Sequence, residues 1–234
     1  MASSRSVYKF LIDLVYPNRC SVCGKLIQWD KLVCEDCEKD LPFNTVELCE
    51  ICGKDRCIDH NTLQFDGIVT LMRYEGSGKE AILKLKNDKQ LGFAEYSAQK
   101  LAEIIASKPW FSGIDIITAV PMHITKIRTR GYNQAQKIAH FLAKDLNKQE
   151  NYKLICRTSD TAEQHSLKAK ERKEFAEKVF YPSKKHIDIK GKNILLCDDI
   201  YTTGSTLNSC AKILKEQGAQ KVYCAAIATT LYKE

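Results

Sequence analysis

The stretch ILLCDDIYTTGST, residues 194–206, joins an apolar run to two adjacent aspartates and then to hydroxyl residues around a glycine. The apolar run predicts a buried strand, and Asp198 and Asp199 fall where that strand emerges. Backbone N–H groups and hydroxyls at the start of a helix form a cradle for a phosphate group, and a glycine lets the backbone approach it closely. The residues predicted to form this cradle are Thr202, Thr203, Gly204, Ser205 and Thr206.

The two aspartates restrict what the cradle can hold. Carboxylates beside a phosphate repel it unless they face something else, and sugar hydroxyls or a bound Mg²⁺ are suitable partners. No lysine follows Gly204 in the pattern of a nucleotide-triphosphate loop, so that class of site is excluded. A phosphorylated ribose meets these requirements together.

Around this stretch, strand-like and helix-like segments alternate. Strand-like runs occur at 68–74, 115–121, 192–199 and 221–230, and helical periodicity occurs at 93–108, 133–147 and 205–218. Asn133 is the predicted N-cap of one helix, and Gly218 ends another. The pattern predicts an α/β fold with a parallel sheet flanked by helices, and ligands bind such sheets at the carboxyl ends of the strands.

Charge is unevenly distributed over the 234 residues. Residues 1–60 hold 8 Lys and Arg against 10 Asp and Glu, whereas residues 61–234 hold 28 against 19. The excess suits a polyanionic partner or a phosphorylated ligand, or it is a solvated basic surface. No apolar run approaches the roughly 18–20 residues that cross a membrane. We interpret the N-terminal VYKFLIDLVYP as an amphipathic helix rather than a signal peptide, and expect a cytoplasmic protein.

Seven of the 11 cysteines lie between residues 20 and 57. The first four form two Cys-x2-Cys knuckles, and four thiolates complete a tetrahedral zinc site. A segment this short needs a metal or disulfides to fold, and the expected compartment disfavours disulfides. The predicted ligands of this structural zinc are Cys20, Cys23, Cys34 and Cys37.

A second ligand set follows, with a spacer of four residues between its two halves. Three cysteines and one histidine suit zinc, and a filled coordination sphere makes the role architectural. The alternative is that Cys57 and His60 are a surface pair. We therefore predict one or two zinc ions in a small module at residues 1–62, followed by a larger domain at 63–234. The predicted second set is Cys49, Cys52, Cys57 and His60.

All thirteen positions of 194–206 fit the motif of the type I phosphoribosyltransferases, which the larger domain therefore resembles. The resemblance implies a site for phosphoribosyl pyrophosphate (PRPP) with Mg²⁺. It implies that Asp198 and Asp199 hold the ribose hydroxyls and that the loop Thr202–Thr206 holds the 5′-phosphate. It also assigns a pyrophosphate loop to Val120, Pro121 and Met122.

The order of a double zinc ribbon, the stretch VPMH with RGYNQ at 130–134, and DDIYTTGST is similar to the ComF (ComFC) family of competence proteins. That resemblance implies a role in natural transformation and DNA uptake, with single-stranded DNA or a helicase-like partner. Two departures stand out: His60 replaces a frequent cysteine, and Phe175 stands where the family tends to have an asparagine. The polar segment 157–178 predicts an exposed loop and a solvated helix, serving as a lid or as a plain connection.

Three functions follow as alternatives. Thr202 occupies a position where related purine transferases carry an acid, and threonine is not a general base near pH 7. The chain is then a PRPP-binding protein, or an active phosphoribosyltransferase whose acceptor is an unidentified amine or base. The third alternative is contact with nucleic acid, although the same basic stretch adjoins the predicted pyrophosphate loop. The predicted nucleic-acid residues are Lys126, Arg128, Arg130 and Tyr132.

Overall fold

The computed structural model describes residues 17–55, 57, 60–87, 91–157, 179–183 and 187–230. The strands of its main sheet are β1 (Gly67–Arg73), β2 (Ile116–Ala119), β3 (Gln149–Glu150), β6 (Asn193–Tyr201) and β7 (Lys221–Thr229). They are all parallel, in the order β1-β7-β6-β2-β3. A separate antiparallel pair is formed by β4 (Ile155–Arg157) and β5 (Phe180–Pro182). The predicted parallel sheet is confirmed.

Helices cover both faces of the sheet. They are α1 (Glu35–Asp40), α2 (Gly76–Asn87), α3 (Gly92–Ala106), α4 (Ile124–Arg130), α5 (Gln134–Asp145) and α6 (Ser205–Glu216). Side chains of β6 alternate between two cores because successive residues of a strand point to opposite faces. Leu195 packs with α2, α3 and α5, whereas Leu196 packs with α6 and the β4–β5 pair.

The two predicted helix boundaries are confirmed. The Asn133 side chain accepts a hydrogen bond from the Ala135 amide (3.0 Å) and so caps α5. Gly218 follows α6 with φ of +96°, a backbone conformation that favours glycine.

The end of β6 differs from the sequence prediction. Asp198 and Asp199 lie within the strand, which continues to Tyr201, rather than beyond its end. The reason is unequal support from the two neighbouring strands. The ladder with β2 ends at Ala119–Cys197, whereas β7 pairs with β6 as far as Tyr201. The backbone around the two aspartates is therefore held by β7 on one side, and β2 does not pair with it on the other side.

The N-terminal segment packs along the outer edge of β1. Phe43 forms an antiparallel bridge with Met72, and the Arg73 amide donates to the Pro42 carbonyl at 2.9 Å. Further along, the Ile68 amide donates to a carbonyl of residue 50 at 2.9 Å. The segment 42–50 thus covers a strand edge whose polar groups need partners. The predicted division of the chain at residue 62 stays a prediction.

Two predicted features lie outside the described residues: the amphipathic helix within 1–16, and the segment 158–178 that includes Phe175. Arg157 and Phe180, which flank that segment, are partners in the β4–β5 ladder. Among the residues that the structure describes, no helix combines the length and the apolar character needed to cross a membrane.

Candidate functional site

The two aspartates of β6 form the centre of the candidate site. The Asp199 carboxylate pairs with the Lys86 ammonium at 2.7 Å, and these side chains are 17% and 18% exposed. The Asp199 amide donates to the Asp198 carboxylate at 2.8 Å. Burial, followed by the neighbouring Asp199 carboxylate, raises the pKa of Asp198 well above its usual value. A bound cation or a hydroxyl donor would relieve this cost of burying negative charge.

The loop after β6 has the geometry of an anion cradle. Gly204 has φ of +82° and is the N-cap of α6, and a Cβ there would lie 2.7 Å from Cε2 of Tyr201. A side chain is therefore excluded on both conformational and steric grounds. The hydroxyls of Thr203 and Ser205 lie 3.1 Å apart and are exposed, as is Thr202. The first amides of a twelve-residue helix thus lie beside exposed hydroxyls, and the Ser205 amide donates to the Thr203 hydroxyl at 3.4 Å.

The loop Val120–Met122 lies beside the two aspartates. The Val120 amide donates to the Cys197 carbonyl at 2.9 Å, which places this loop directly next to Asp198. The buried Asn133 side chain donates to the Val120 carbonyl at 2.9 Å and so fixes the loop from the α5 side. The structure thus brings the three segments predicted for PRPP together at one edge of the sheet.

A basic pocket of about 400 Å³ adjoins the aspartates on the side of Lys86. Lys126 and Arg130, both predicted site residues, lie in its wall, and Arg128 is exposed on the same helix. The cationic side chains make the pocket suitable for an anion. Its lining residues are Lys86, Asn87, Thr125, Lys126, Thr129 and Arg130.

Tyr132 is placed differently from the other predicted nucleic-acid residues. Its ring packs against the core on the α2, α3 and α5 side, and its hydroxyl donates to the Leu85 carbonyl. The geometry therefore gives no support to the predicted stacking of this ring on a base. The physical reason is that Tyr132 follows the turn at Gly131, which directs it back towards α2.

The first cysteine cluster fits a tetrahedral metal ion. Its four sulfurs lie within 4.8 Å of one another, and Cys23 and Cys34 are 3.8 Å apart. Zn–S bonds of about 2.3 Å in a tetrahedron place sulfurs about 3.8 Å apart. Although burial opposes ionisation, backbone amides of Cys23 and Cys34 lower the pKa of Cys20 to about 6. The four sulfurs are therefore placed as ligands of one tetrahedral metal ion.

The second cluster has the same properties with a histidine in one position. Its four ligand atoms also lie within 4.8 Å of one another, and Cys49 Sγ is 3.5 Å from His60 Nε2. Mixed sulfur and nitrogen ligands of tetrahedral zinc are about 3.5 Å apart, since the Zn–N bond is shorter. Although burial opposes it, the amides of Cys52 and Ile51 lower the pKa of Cys49 to about 7. The donor set therefore fits a second structural zinc.

Sequence reasoning missed Lys86, which touches the central carboxylate. It lies near the end of α2 in the run LKLKN, and nothing in that pattern distinguishes it from Lys84. A helical wheel places neither lysine in the core, and only the fold brings Lys86 to Asp199. The one available signal was that a buried Asp199 needs a cation, and the sequence does not indicate which lysine or arginine supplies it.

Comparison with known proteins agrees with this architecture. Residues 11–66 match the model of the double zinc ribbon domain, and residues 121–234 match that of the phosphoribosyl transferase domain. The DNA utilization protein YhgH of Escherichia coli is 28% identical over 215 residues, which are 91% of this chain and 90% of that protein. The competence protein ComFC of Bacillus subtilis is 26% identical over 210 residues, 82% of each chain. Competence protein F of Haemophilus influenzae is 29% identical over 114 residues, 49% of this chain and 50% of that one.

Fold, cysteine clusters and matched domains define the class: a double zinc ribbon joined to a type I phosphoribosyltransferase-like domain. Relatives in three bacteria are 26–29% identical to this chain, two of them over most of their length. Over most of its length the chain is similar to the DNA utilization protein YhgH and to the competence protein ComFC.

Proposed function

We propose that the chain binds PRPP together with Mg²⁺ and supports natural transformation and DNA uptake on the cytoplasmic side of the membrane. Its partner would be single-stranded DNA or a helicase-like protein. One observation carries the ligand: acids of β6, the cradle at Gly204 and the loop Val120–Met122 meet at one edge of the sheet. The relatives' names, DNA utilization and competence, support the biological role.

Each part of PRPP has a partner of suitable chemistry in this proposal. Thr202–Thr206 and the first amides of α6 would hold the 5′-phosphate, and Asp198 and Asp199 the ribose hydroxyls. Val120–Met122 would hold the pyrophosphate, with the basic pocket beside it offsetting the negative charge. Mg²⁺ prefers oxygen ligands, and when bound it would offset the charge of the phosphates near the two carboxylates.

Calorimetric titration of PRPP with Mg²⁺ tests the proposal. The wild type should bind, and Asp199→Asn should lose about tenfold or more in affinity because a charged hydrogen-bond acceptor becomes neutral. Asp188→Asn is the matched control, since it makes the same change in an exposed residue just before the amino end of β6. Absence of heat with the wild type would refute the PRPP site. Equal affinities for wild type and Asp199→Asn would refute the role of Asp199.

An active phosphoribosyltransferase is the second candidate, because the site would hold the donor of such a reaction. Thr202 is exposed at the loop position of the acid in related purine enzymes, so a purine acceptor is disfavoured. An acceptor that is already nucleophilic, such as an amine, needs no such base. Pyrophosphate release from PRPP, measured over a panel of amines and bases, separates turnover from binding. If no acceptor raises pyrophosphate release above the background of Asp199→Asn, the protein binds PRPP without turning it over.

Contact with single-stranded DNA is supported by the charge of α4. Lys126 and Arg128 are exposed there, and residues 121–137 contain no acidic side chain. Arg128→Ala with Arg130→Ala should weaken oligonucleotide binding and reduce its salt dependence, because fewer phosphates are neutralised. Lys144→Ala with Lys212→Ala removes the same charge from exposed positions on other helices and should have a smaller effect. Equal losses in the two double variants would rule out a DNA site at α4.

A further inference from the structure

A lysine two residues after the Cys49-x2-Cys52 knuckle is buried against the predicted phosphate cradle. Lys54 is 4% exposed although it lies in a polar, cysteine-rich segment. Its ammonium donates to the carbonyl of Thr202 at 2.7 Å and to the carbonyl of Thr230 at 2.6 Å. It also lies 4.4 Å from the centre of the Tyr201 ring. One cation from the N-terminal segment therefore joins the first residue of the cradle to the residue that follows β7.

A second contact runs between the same two regions. The hydroxyl of Tyr201, a residue that is 1% exposed, donates to the Cys52 carbonyl at 2.7 Å. The same ring is the surface on which Gly204 packs. Tyr201 thus contacts a predicted zinc ligand on one side and the helix-starting glycine of the cradle on the other.

The Cys49-x2-Cys52 knuckle fixes Lys54 through backbone hydrogen bonds. The Cys49 amide donates to the Lys54 carbonyl at 3.0 Å, and the Gly53 amide donates to the Cys49 carbonyl at 2.7 Å. Gly53 has φ of +64°, and a Cβ there would lie 2.6 Å from Cγ2 of Ile68. The turn that gathers the metal ligands is therefore the turn that aims Lys54 at the cradle.

We propose that Lys54 is a positioning residue for the phosphate cradle and that zinc in the second cluster orders the cradle through Lys54 and Tyr201. The ligand-binding part of this inference rests on the proposed function, whereas the ordering part does not. A buried ammonium needs its carbonyl partners, so Lys54 holds Thr202 only while the knuckle holds Lys54. The first cluster has no described contact of this kind with the cradle.

Amide hydrogen exchange over residues 202–206 of the full chain tests the ordering without ligand. Lys54→Met should accelerate exchange there about tenfold, because the loop loses charge-assisted hydrogen bonds. Lys212→Met, an exposed lysine in α6, is the matched control and should leave exchange unchanged. Tyr201→Phe removes the hydroxyl that donates to the Cys52 carbonyl and should give a smaller acceleration, so it carries the test if Lys54→Met does not fold. Unchanged exchange in the folded variants would overturn the proposal.

A pair of exposed cysteines tests the role of zinc. Cys57→Ser in the second cluster should lower zinc per chain and accelerate exchange over 202–206. Cys23→Ser in the first cluster should lower zinc equally and leave that exchange unchanged. Acceleration by both, by neither, or by Cys23→Ser alone would overturn the coupling to the second cluster.

PRPP titration then separates the positioning role of Lys54 from PRPP binding itself. Lys54→Met should bind PRPP about tenfold more weakly than the wild type, as expected for a lost charge-assisted contact that orders the loop. Failure of the wild type to bind would refute the proposed function and leave the exchange result standing. Equal binding by wild type and Lys54→Met would refute the positioning role alone.

Discussion

The two cysteine clusters share one local structure and contact different parts of the larger domain. Each has a glycine of positive φ after its first knuckle, +78° at Gly24 and +64° at Gly53. The first cluster packs on the helical layer: Cys20 is part of the core with α2 and α3, and Lys84 donates to the Val22 carbonyl at 2.5 Å. The second cluster packs beneath the loop that follows β6.

This difference leads us to expect different roles for the two metal sites. A site embedded in a large apolar core contributes to the stability of the whole fold, because its loss exposes that core. A metal site beside a polar loop, such as the second cluster, should instead affect the order of the few residues that it contacts. Position relative to the sheet, rather than ligand chemistry, separates the two roles.

The largest expected effect is the loss of stability when the buried cysteine of the first cluster is changed. Cys20→Ser should lower the free energy of unfolding by about 4 kcal/mol, since it removes a metal ligand and buries a hydroxyl in the core. Cys57→Ser, at an exposed position of the second cluster, should cost about half as much. Denaturant titration in zinc-containing buffer measures both. A larger loss for Cys57→Ser would reverse the comparison.

His60 decides whether the second cluster binds metal as the first does. His60→Ala should reduce zinc from two ions to one per chain and cost about 2 kcal/mol, whereas His60→Cys should keep two because it supplies another thiolate. Mass-spectrometric zinc content with the unfolding free energy measures both. Two zinc ions in His60→Ala would show that the histidine is not a ligand.

A smaller effect should come from the carboxylate that holds the segment after the second cluster to the sheet. Asp66 accepts from Lys215 at 2.6 Å, from Lys221 at 2.8 Å and from the Val222 amide at 2.8 Å. Burial opposes its ionisation, but these hydrogen bonds together lower the pKa of Asp66 below 3.8. Asp66→Asn should cost about 1 kcal/mol near neutral pH.

The pH dependence of that loss has a fixed sign. A carboxyl group whose pKa is lower in the folded than in the unfolded state stabilises the fold at pH values above its unfolded pKa. This contribution disappears as the pH falls through the folded pKa. The difference in free energy of unfolding between wild type and Asp66→Asn should therefore be constant from pH 7 to pH 5 and become smaller below about pH 3.8. Glu216→Gln, which breaks an exposed pair with Lys212, is the control and should show little gap. A gap that widens in acid would contradict the assigned contacts.

The sequence was informative where a short stretch carries its own geometry. The knuckles at Cys20 and Cys49, the N-cap at Asn133 and the glycine at 204 each depend on neighbours within a few residues, so their local structure could be predicted. Lys54 and Lys86 could not be assigned this way. Lys54 meets Thr202 across 148 residues of sequence, and only the packing of the N-terminal segment on the sheet creates that contact.

Strand ends show the same limit. The end of β6 was predicted from its apolar run, but pairing with β7 carries the strand past two aspartates to Tyr201. Tyr132 is a similar case, since its basic neighbours suggested an exposed ring and the turn at Gly131 directs it to Leu85. In both cases tertiary contacts override local composition.

The covered edge of β1 has a consequence for how the protein is made. A chain leaves the ribosome from its N-terminus, so the segment 42–50 emerges before the strand it pairs with. The outer edge of β1 can therefore be covered once residue 73 has emerged, whereas its inner edge waits for β7, which begins at Lys221. During synthesis of the intervening residues, β1 then exposes one edge to other nascent chains instead of two.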